Sequence, residues 1–150
     1  MRLEDITKAK SHMLHILMAA SPLSDALALM DAHAIGSIVV VDIAGQTKGI
    51  VSQPEILKAF RAFGRNAFDC PLGDIMRRDH LAMDAAATAE DAMAMMTRDR
   101  VRHVLVLKDG ARCVGIISLG DLVAAQLAEA RMESRVLRDM ARAAVAGRAG

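Results

Sequence analysis

Two dense apolar runs punctuate the chain, IVVV at 38–41 and VLVL at 104–107. Runs of this kind predict strands buried on both faces. Each is preceded by a segment with helical spacing. From Ser24 to His33 the apolar positions are 26, 27, 29 and 30, and from Glu90 to Arg100 they are 92, 93, 95 and 96. Each run is followed by a turn that carries a glycine, DIAGQ or KDGA, and then by a second short apolar stretch, GIV at 49–51 or GII at 115–117. A helix is predicted to follow, from Pro54 in one case and from Gly120 in the other. With a short strand before the first helix, both halves read β-α-β-β-α.

The two halves are copies. Gly49 and Gly115 stand 66 positions apart (115 − 49), and the same offset pairs Asp25 with Asp91, Met30 with Met96, Val40 with Val106, Ile50 with Ile116 and Ser52 with Ser118. Conservative pairs fill the gaps, Glu55 with Asp121 among them, and no insertion is needed from 19 to 59. The period is too long for a solenoid unit, so the pattern predicts a duplicated small α/β subdomain. The stretch GRNAFDCPLGD, 64–74, reads as the join between copies. We expect a first subdomain over 1–66, a second over 67–128 and a helical tail over 129–150. The tail rests on an Ala-rich pattern without internal Gly or Pro from 121 to 146, in which Leu127, Ala130, Leu137 and Ala141 share one face. Such a helix needs a surface to pack on, and a partner chain is one candidate.

Composition narrows the picture. Apolar residues make up 53% of the 150, but there is no Trp or Tyr, with three Phe and eleven Met. Ala, Val, Ile, Leu and Met must therefore build the core, with Met filling irregular gaps. A net charge of +1 is no electrostatic footprint for nucleic acid. Cys70 and Cys113 form no CxxC and read as free thiols of a reducing compartment. The charged start MRLEDITKAK leads into no long apolar run, so no signal peptide is expected. No stretch approaches the roughly 18 apolar residues of a membrane span. The expected location is the cytoplasm, with no nucleic-acid or membrane partner.

The ordered series resembles a tandem pair of CBS domains, the small β-α-β-β-α regulatory modules named after cystathionine β-synthase. The resemblance is carried by SDALALMDAHAIGSIVVVD followed by KGIVSQPEIL, and by EDAMAMMTRDRVRHVLVLKDG followed by VGIISLGDL. It covers about 1 to 128, and the tail resembles the C-terminal helix of short bacterial proteins made of one CBS pair. The fold it implies is α/β: two CBS subdomains related by a pseudo-twofold axis, with an extended C-terminal helix. It further implies two clefts that take adenosine compounds (AMP, ADP, ATP, S-adenosylmethionine or dinucleotides of the NAD type) as regulatory ligands. No obligatory cofactor is implied. A homodimer, a regulated protein partner and a regulatory, non-catalytic role are.

The strand-to-helix junctions are the first candidate site. Ser118 and Asp121, like Ser52 and Glu55, have the spacing of a capping box, in which Ser at N-cap and an acid three residues later satisfy orphan N–H groups. That reading needs no ligand. The resemblance offers another, in which Asp121 accepts hydrogen bonds from a ribose diol and Ser118 lies near ribose or phosphate. Glu55 reaches one methylene further and suits capping better. The resemblance also implies that Arg102 and His103, just before VLVL, reach the phosphates of a nucleotide held by the same copy. Arg offers a planar fork for phosphate, and an ordinary polar turn is the alternative. The first copy has Gly36 and Ser37 there and supplies no cation at these positions, although Gly36 lets a ligand approach backbone closely. We therefore expect one working cleft, at Asp121, and a degenerate one at Ser52 and Glu55. The proline usual in this strand is replaced by Val39 and Leu105.

Other chemistry is thin. His12 and His15 share a helical face as HxxH, but spacing ties no third ligand to them. His15 is a candidate for lining the cleft. His33 and His80 read as solvated, and Cys70 and Cys113 as inert thiols. The tail arginines Arg131, Arg135, Arg138, Arg142 and Arg148 read as a solvated face. No nucleophile–base pairing, metal set or phosphate-binding glycine loop is legible.

Overall fold

The computed structural model describes residues 1–9 and 14–149. After helix α1 (Leu3–Ala9), the first copy runs β1 (Ile16–Met18), α2 (Leu23–His33), β2 (Ser37–Val41), β3 (Thr47–Ser52) and α3 (Gln53–Phe63). A 3-10 turn (Gly64–Asp69) and helix α4 (Leu72–Ile75) lead into the second copy. That copy comprises β4 (Ala82–Asp84), α5 (Ala89–Asp99), β5 (His103–Lys108), β6 (Arg112–Ser118) and α6 (Leu119–Ala149). The predicted β-α-β-β-α order is present twice.

Each copy forms a three-stranded sheet, β1-β2-β3 or β4-β5-β6, parallel at the first pairing and antiparallel at the second. Irregularities recur in register. The ladder shifts between Val40 and Val41 and again between Val106 and Leu107. Helices α2 and α5 both end on a left-handed residue that is not glycine, Ala34 (φ 52°) and Arg100 (φ 55°). The following N–H groups of Ile35 and Val101 return to Met30 O and Met96 O, each at 3.1 Å. These bonds satisfy terminal carbonyls and offset the roughly 1–2 kcal/mol that a left-handed non-glycine costs.

The dense runs are buried on both faces because each sheet has two partners. Ile38 and Val40 face the helices of their own copy, and Val104 and Val106 do the same in theirs. The alternate residues Val39, Val41, Ile50, Leu105 and Cys113 form a third core where the two sheets meet. Strand periodicity of two thus divides one apolar run between two cores.

The segments that precede each copy cross over. Leu3 and Ile6 of α1 join the core of the second copy, while Ala67 and Leu72 join that of the first. Leu3 N–H donates to Ala87 O at 2.9 Å, and Leu72 N–H to Ser21 O at 2.8 Å. Arg2 bridges Thr88 as Pro71 bridges Pro22. Leu3 and Leu72 are fully buried, a contribution of about 1.5–3 kcal/mol each. Glycine makes room for both crossings. A Cβ on Gly115 would meet Thr7 Cγ2 at 2.6 Å, and one on Gly49 would meet Arg77 O at 2.7 Å. The stretch 64–74 is therefore a packed element on the first copy. At the other end α6 runs for 31 residues, and from 129 to 148 every residue is exposed.

Candidate functional site

At both strand-to-helix junctions a Ser ends the strand and an acid stands in the first helical turn. Asp121 Oδ2 accepts the Ser118 N–H at 2.8 Å, and Ser118 Oγ accepts the Asp121 N–H at 3.1 Å. Glu55 Oε2 accepts the N–H of Ser52 at 2.9 Å and its hydroxyl at 2.5 Å. Capping thus explains why Ser and an acid recur. The two carboxylates nevertheless differ. Glu55 is 9% exposed and one oxygen serves both Ser52 donors. Asp121 is half-buried on the wall of a cavity.

That cavity, of about 300 Å³, gathers Ser118, Asp121, His103, His15 and Gly36. Five of the six residues expected at a working site thus come together, from both copies. Thr7 of α1 closes one side, as the crossing of α1 onto β6 requires. The His15 ring lies against that of His33, with centroids 4.4 Å apart, so the sequence spacing missed a ring pair at the rim. His12 lies outside the described residues.

Arg102 goes elsewhere. It lines a second, broader cleft with Ser52 and Glu55, on the side of the first copy. It also lines the small space between the two clefts, with Ser37, His103 and Ile116, which are shared with the lining of the Asp121 cleft. The residues before each long strand stand where the two clefts adjoin. Gly36, Ser37 and His103 line the clefts of both Asp121 and Glu55, and Arg102 lines that of Glu55. The Glu55 cleft is accordingly rich in cations. Lys58, Arg77, Arg78, Arg100 and Arg102 line it, together with the acids Glu55 and Asp79, although Gly36 and Ser37 supply no cation. Ser37 and His103, equivalent by the 66-residue offset, line both clefts.

His80 is not a freely solvated side chain. It is half-buried, its Nδ1 is enclosed without a hydrogen-bond partner, and it lines a small space between the clefts with Arg77 and Arg102. Cys113 lies in the inter-sheet core, donates its S–H to Gly115 O at 3.4 Å, and has its thiol pushed up by burial. That environment suppresses thiolate chemistry. Among the described residues no group of three or more His, Cys, Asp or Glu side chains could hold a metal, and no helix is long and apolar enough to cross a membrane.

Two sheets exchanging their leading segments, with paired clefts at the strand-to-helix junctions, define a tandem α/β module. The CBS domain family model matches residues 4–62 and again 72–128, and the chain belongs to that family. It is similar to a mitochondrial CBS domain-containing protein of Arabidopsis thaliana, 33% identical over 113 residues, which are 73% of this chain and 54% of that one. A CBS-domain containing protein from Agrobacterium tumefaciens has a similar solved structure, with a TM-score of 0.73 at 29% identity, covering 83% of this chain and 92% of that one. A more distant relative is the 5'-AMP-activated protein kinase subunit gamma-3 of Bos taurus, 20% identical over 118 residues, 75% of this chain and 24% of that subunit. The chain spans about half the length of the first curated relatives it matches.

Proposed function

We propose that this CBS pair is a ligand-sensing regulatory module that binds an adenosine-containing compound in the cleft of Asp121. The observation that carries the reading is the single cavity shared by Asp121, Ser118, His103, His15 and Gly36. Asp121 stands on the cavity wall, and a carboxylate accepts hydrogen bonds at both oxygens, so a ribose diol is a fitting partner. Gly36 presents backbone without a side chain, and nothing lies within 4 Å of where its Cβ would be. The relation to a subunit of a 5'-AMP-activated kinase points the same way. The ligand acts by unequal affinity for two arrangements of the subdomains or of a homodimer, and a protein partner reads the difference.

Calorimetry with AMP, ADP, ATP, S-adenosylmethionine and NADH tests the reading. At least one compound should bind below millimolar concentration. The Asp121→Ala protein should bind it about tenfold or more weakly, as expected for losing hydrogen bonds to a charged group. The sensing role fails if none binds, and the site fails if the variant binds as well as wild type.

A structural or assembly role is the second reading, and α6 favours it. Leu127, Met132, Val136, Leu137 and Met140 are each at least half exposed. Sedimentation of the whole chain at micromolar concentration tests the dimer that both readings invoke, and a monomer would remove it.

A further inference from the structure

We propose that the exposed length of α6 is a docking surface for an anionic lipid bilayer, with Val136, Leu137 and Met140 toward the lipid and a stripe of arginines serving the headgroups. In sequence these arginines read as a solvated face, but in the structure they are half of an amphipathic surface. From 129 to 148 every residue of the helix is exposed, a length of about 30 Å clear of the cores. At 3.6 residues per turn, Arg131, Arg135, Arg138 and Arg142 fall within an arc of about 60°. Val136, Leu137, Met140 and Ala144 lie on the opposite side, within about 100°. The first three of these are each at least half exposed. Among the described residues no ion pair engages the four arginines. Glu129 and Glu133 stand on the apolar side but nearer the body, so the uncharged contact starts at Val136. Asp139 stands beside the arginine stripe, and Arg148 closes the apolar side at its far end.

The pattern selects among occupants. A second copy wound as a coiled coil needs apolar residues at positions a and d. Every seven-residue register over 130–148 sets Glu133, Asp139 or an arginine on that seam. A nucleic acid would use the arginines and leave three large apolar side chains in water. A bilayer with acidic headgroups takes both faces. A basic amphipathic helix lies in the interface with its apolar side toward the acyl chains. The helix is about 10–12 Å across, so its cations stay within about a Debye length of the surface charge. It is not apolar enough to cross the membrane, and lying on one requires no span.

The test is co-sedimentation of the full chain with vesicles of phosphatidylcholine alone and of phosphatidylcholine mixed with phosphatidylglycerol. Wild type should bind the anionic vesicles about tenfold or more tightly than the neutral ones, and less tightly as salt is raised. Leu137→Asp/Met140→Asp should weaken that binding about tenfold or more, and Arg135→Gln/Arg138→Gln/Arg142→Gln by a similar factor. All five positions are exposed, so both variants should melt like wild type, which circular dichroism checks. Anionic vesicles left unbound, or bound no better than neutral ones, overturn the inference. Binding that survives Leu137→Asp/Met140→Asp overturns it by showing adsorption of charge alone, and so does binding that survives the arginine variant. If the chain ignores vesicles but binds poly(U) RNA, the surface is one for nucleic acid. If it ignores vesicles and Leu137→Asp/Met140→Asp turns a dimer into a monomer in sedimentation, a second copy covers the face. Each outcome is independent of what binds at Asp121.

Discussion

Thr7 occupies the space that a side chain at Gly115 would need: a Cβ placed there falls 2.6 Å from Thr7 Cγ2 and 3.2 Å from Thr7 Cβ. The contact joins α1 to the sheet of the other copy. Gly115→Ala should therefore destabilise the protein by about 1–3 kcal/mol, the usual range for overpacking. Thr7→Ala removes the methyl that clashes, so the double variant should recover part of the loss. Urea denaturation of the four proteins measures the coupling. Additive losses would show that the clash is relieved by movement of α1.

The equivalent change in the first copy should behave differently. At Gly49 a Cβ meets the backbone oxygen of Arg77 at 2.7 Å as well as Met76 side-chain atoms at 2.8 Å. Arg77 also exchanges two backbone hydrogen bonds with Ile50. Gly49→Ala should cost more than Gly115→Ala, and Met76→Ala should fail to restore it, because the carbonyl stays in place. Rescue to wild-type stability would contradict this account.

Binding and capping at Asp121 can be separated. Asp121→Ala removes the acceptor of the Ser118 N–H and should cost about 0.5–2 kcal/mol of stability. Asp121→Asn keeps an acceptor and should cost less, while still losing ligand affinity through loss of charge. Thermal melts without ligand and calorimetry with it give the two quantities. An Asn variant with full affinity would reduce Asp121 to a helix cap.

The thiols should differ in reactivity. Cys113 is buried and its thiol is pushed up by desolvation, whereas Cys70 is half-buried in the 3-10 region. A thiol reagent should label Cys70 in the folded protein and Cys113 only as fast as the protein opens. The sign of the pH effect follows. Folded Cys113 keeps its proton where the unfolded chain, near its ordinary value of 9.0, releases it. Its contribution to stability is present below that pH and declines as pH rises above it. A stability profile that improves above pH 9 would oppose the assignment.

Truncation probes the exposed part of α6. Removing 130–150 deletes a segment whose described residues, 130–148, are all exposed, so the cores should change by no more than about 0.5 kcal/mol. Helical signal should fall in circular dichroism while the melting temperature holds. A marked drop in melting temperature that depends on protein concentration would mean that a second copy covers Val136, Leu137 and Met140.

Much of this was legible in the residues. The runs at 38–41 and 104–107, with the 66-residue offset, predict both sheets and both junctions, because periodicity and burial are local properties of the chain. The Ser-x-x-acid spacing predicts the caps for the same reason. The destination of Arg102 was not legible. Spacing says that Arg102 lies two residues before Val104 but not which copy's junction it faces, since that depends on how the sheets meet. The crossing segments were hidden too, because Leu3 and Leu72 are 69 positions apart (72 − 3) and drop out of a 66-residue register. His80 looked solvated because nothing near it in sequence encloses it; Arg77 and Arg102 do so in space.

The exchange of leading segments changes what a break in the chain can do. A protease that cuts between Phe63 and Gly64 yields one fragment holding Leu3 and Ile6, which fill the core of the other, and a second holding Ala67 and Leu72, which fill the core of the first. The pieces are interlocked, and parting them leaves a hole in each. Nicked protein should therefore elute as one particle and melt as one.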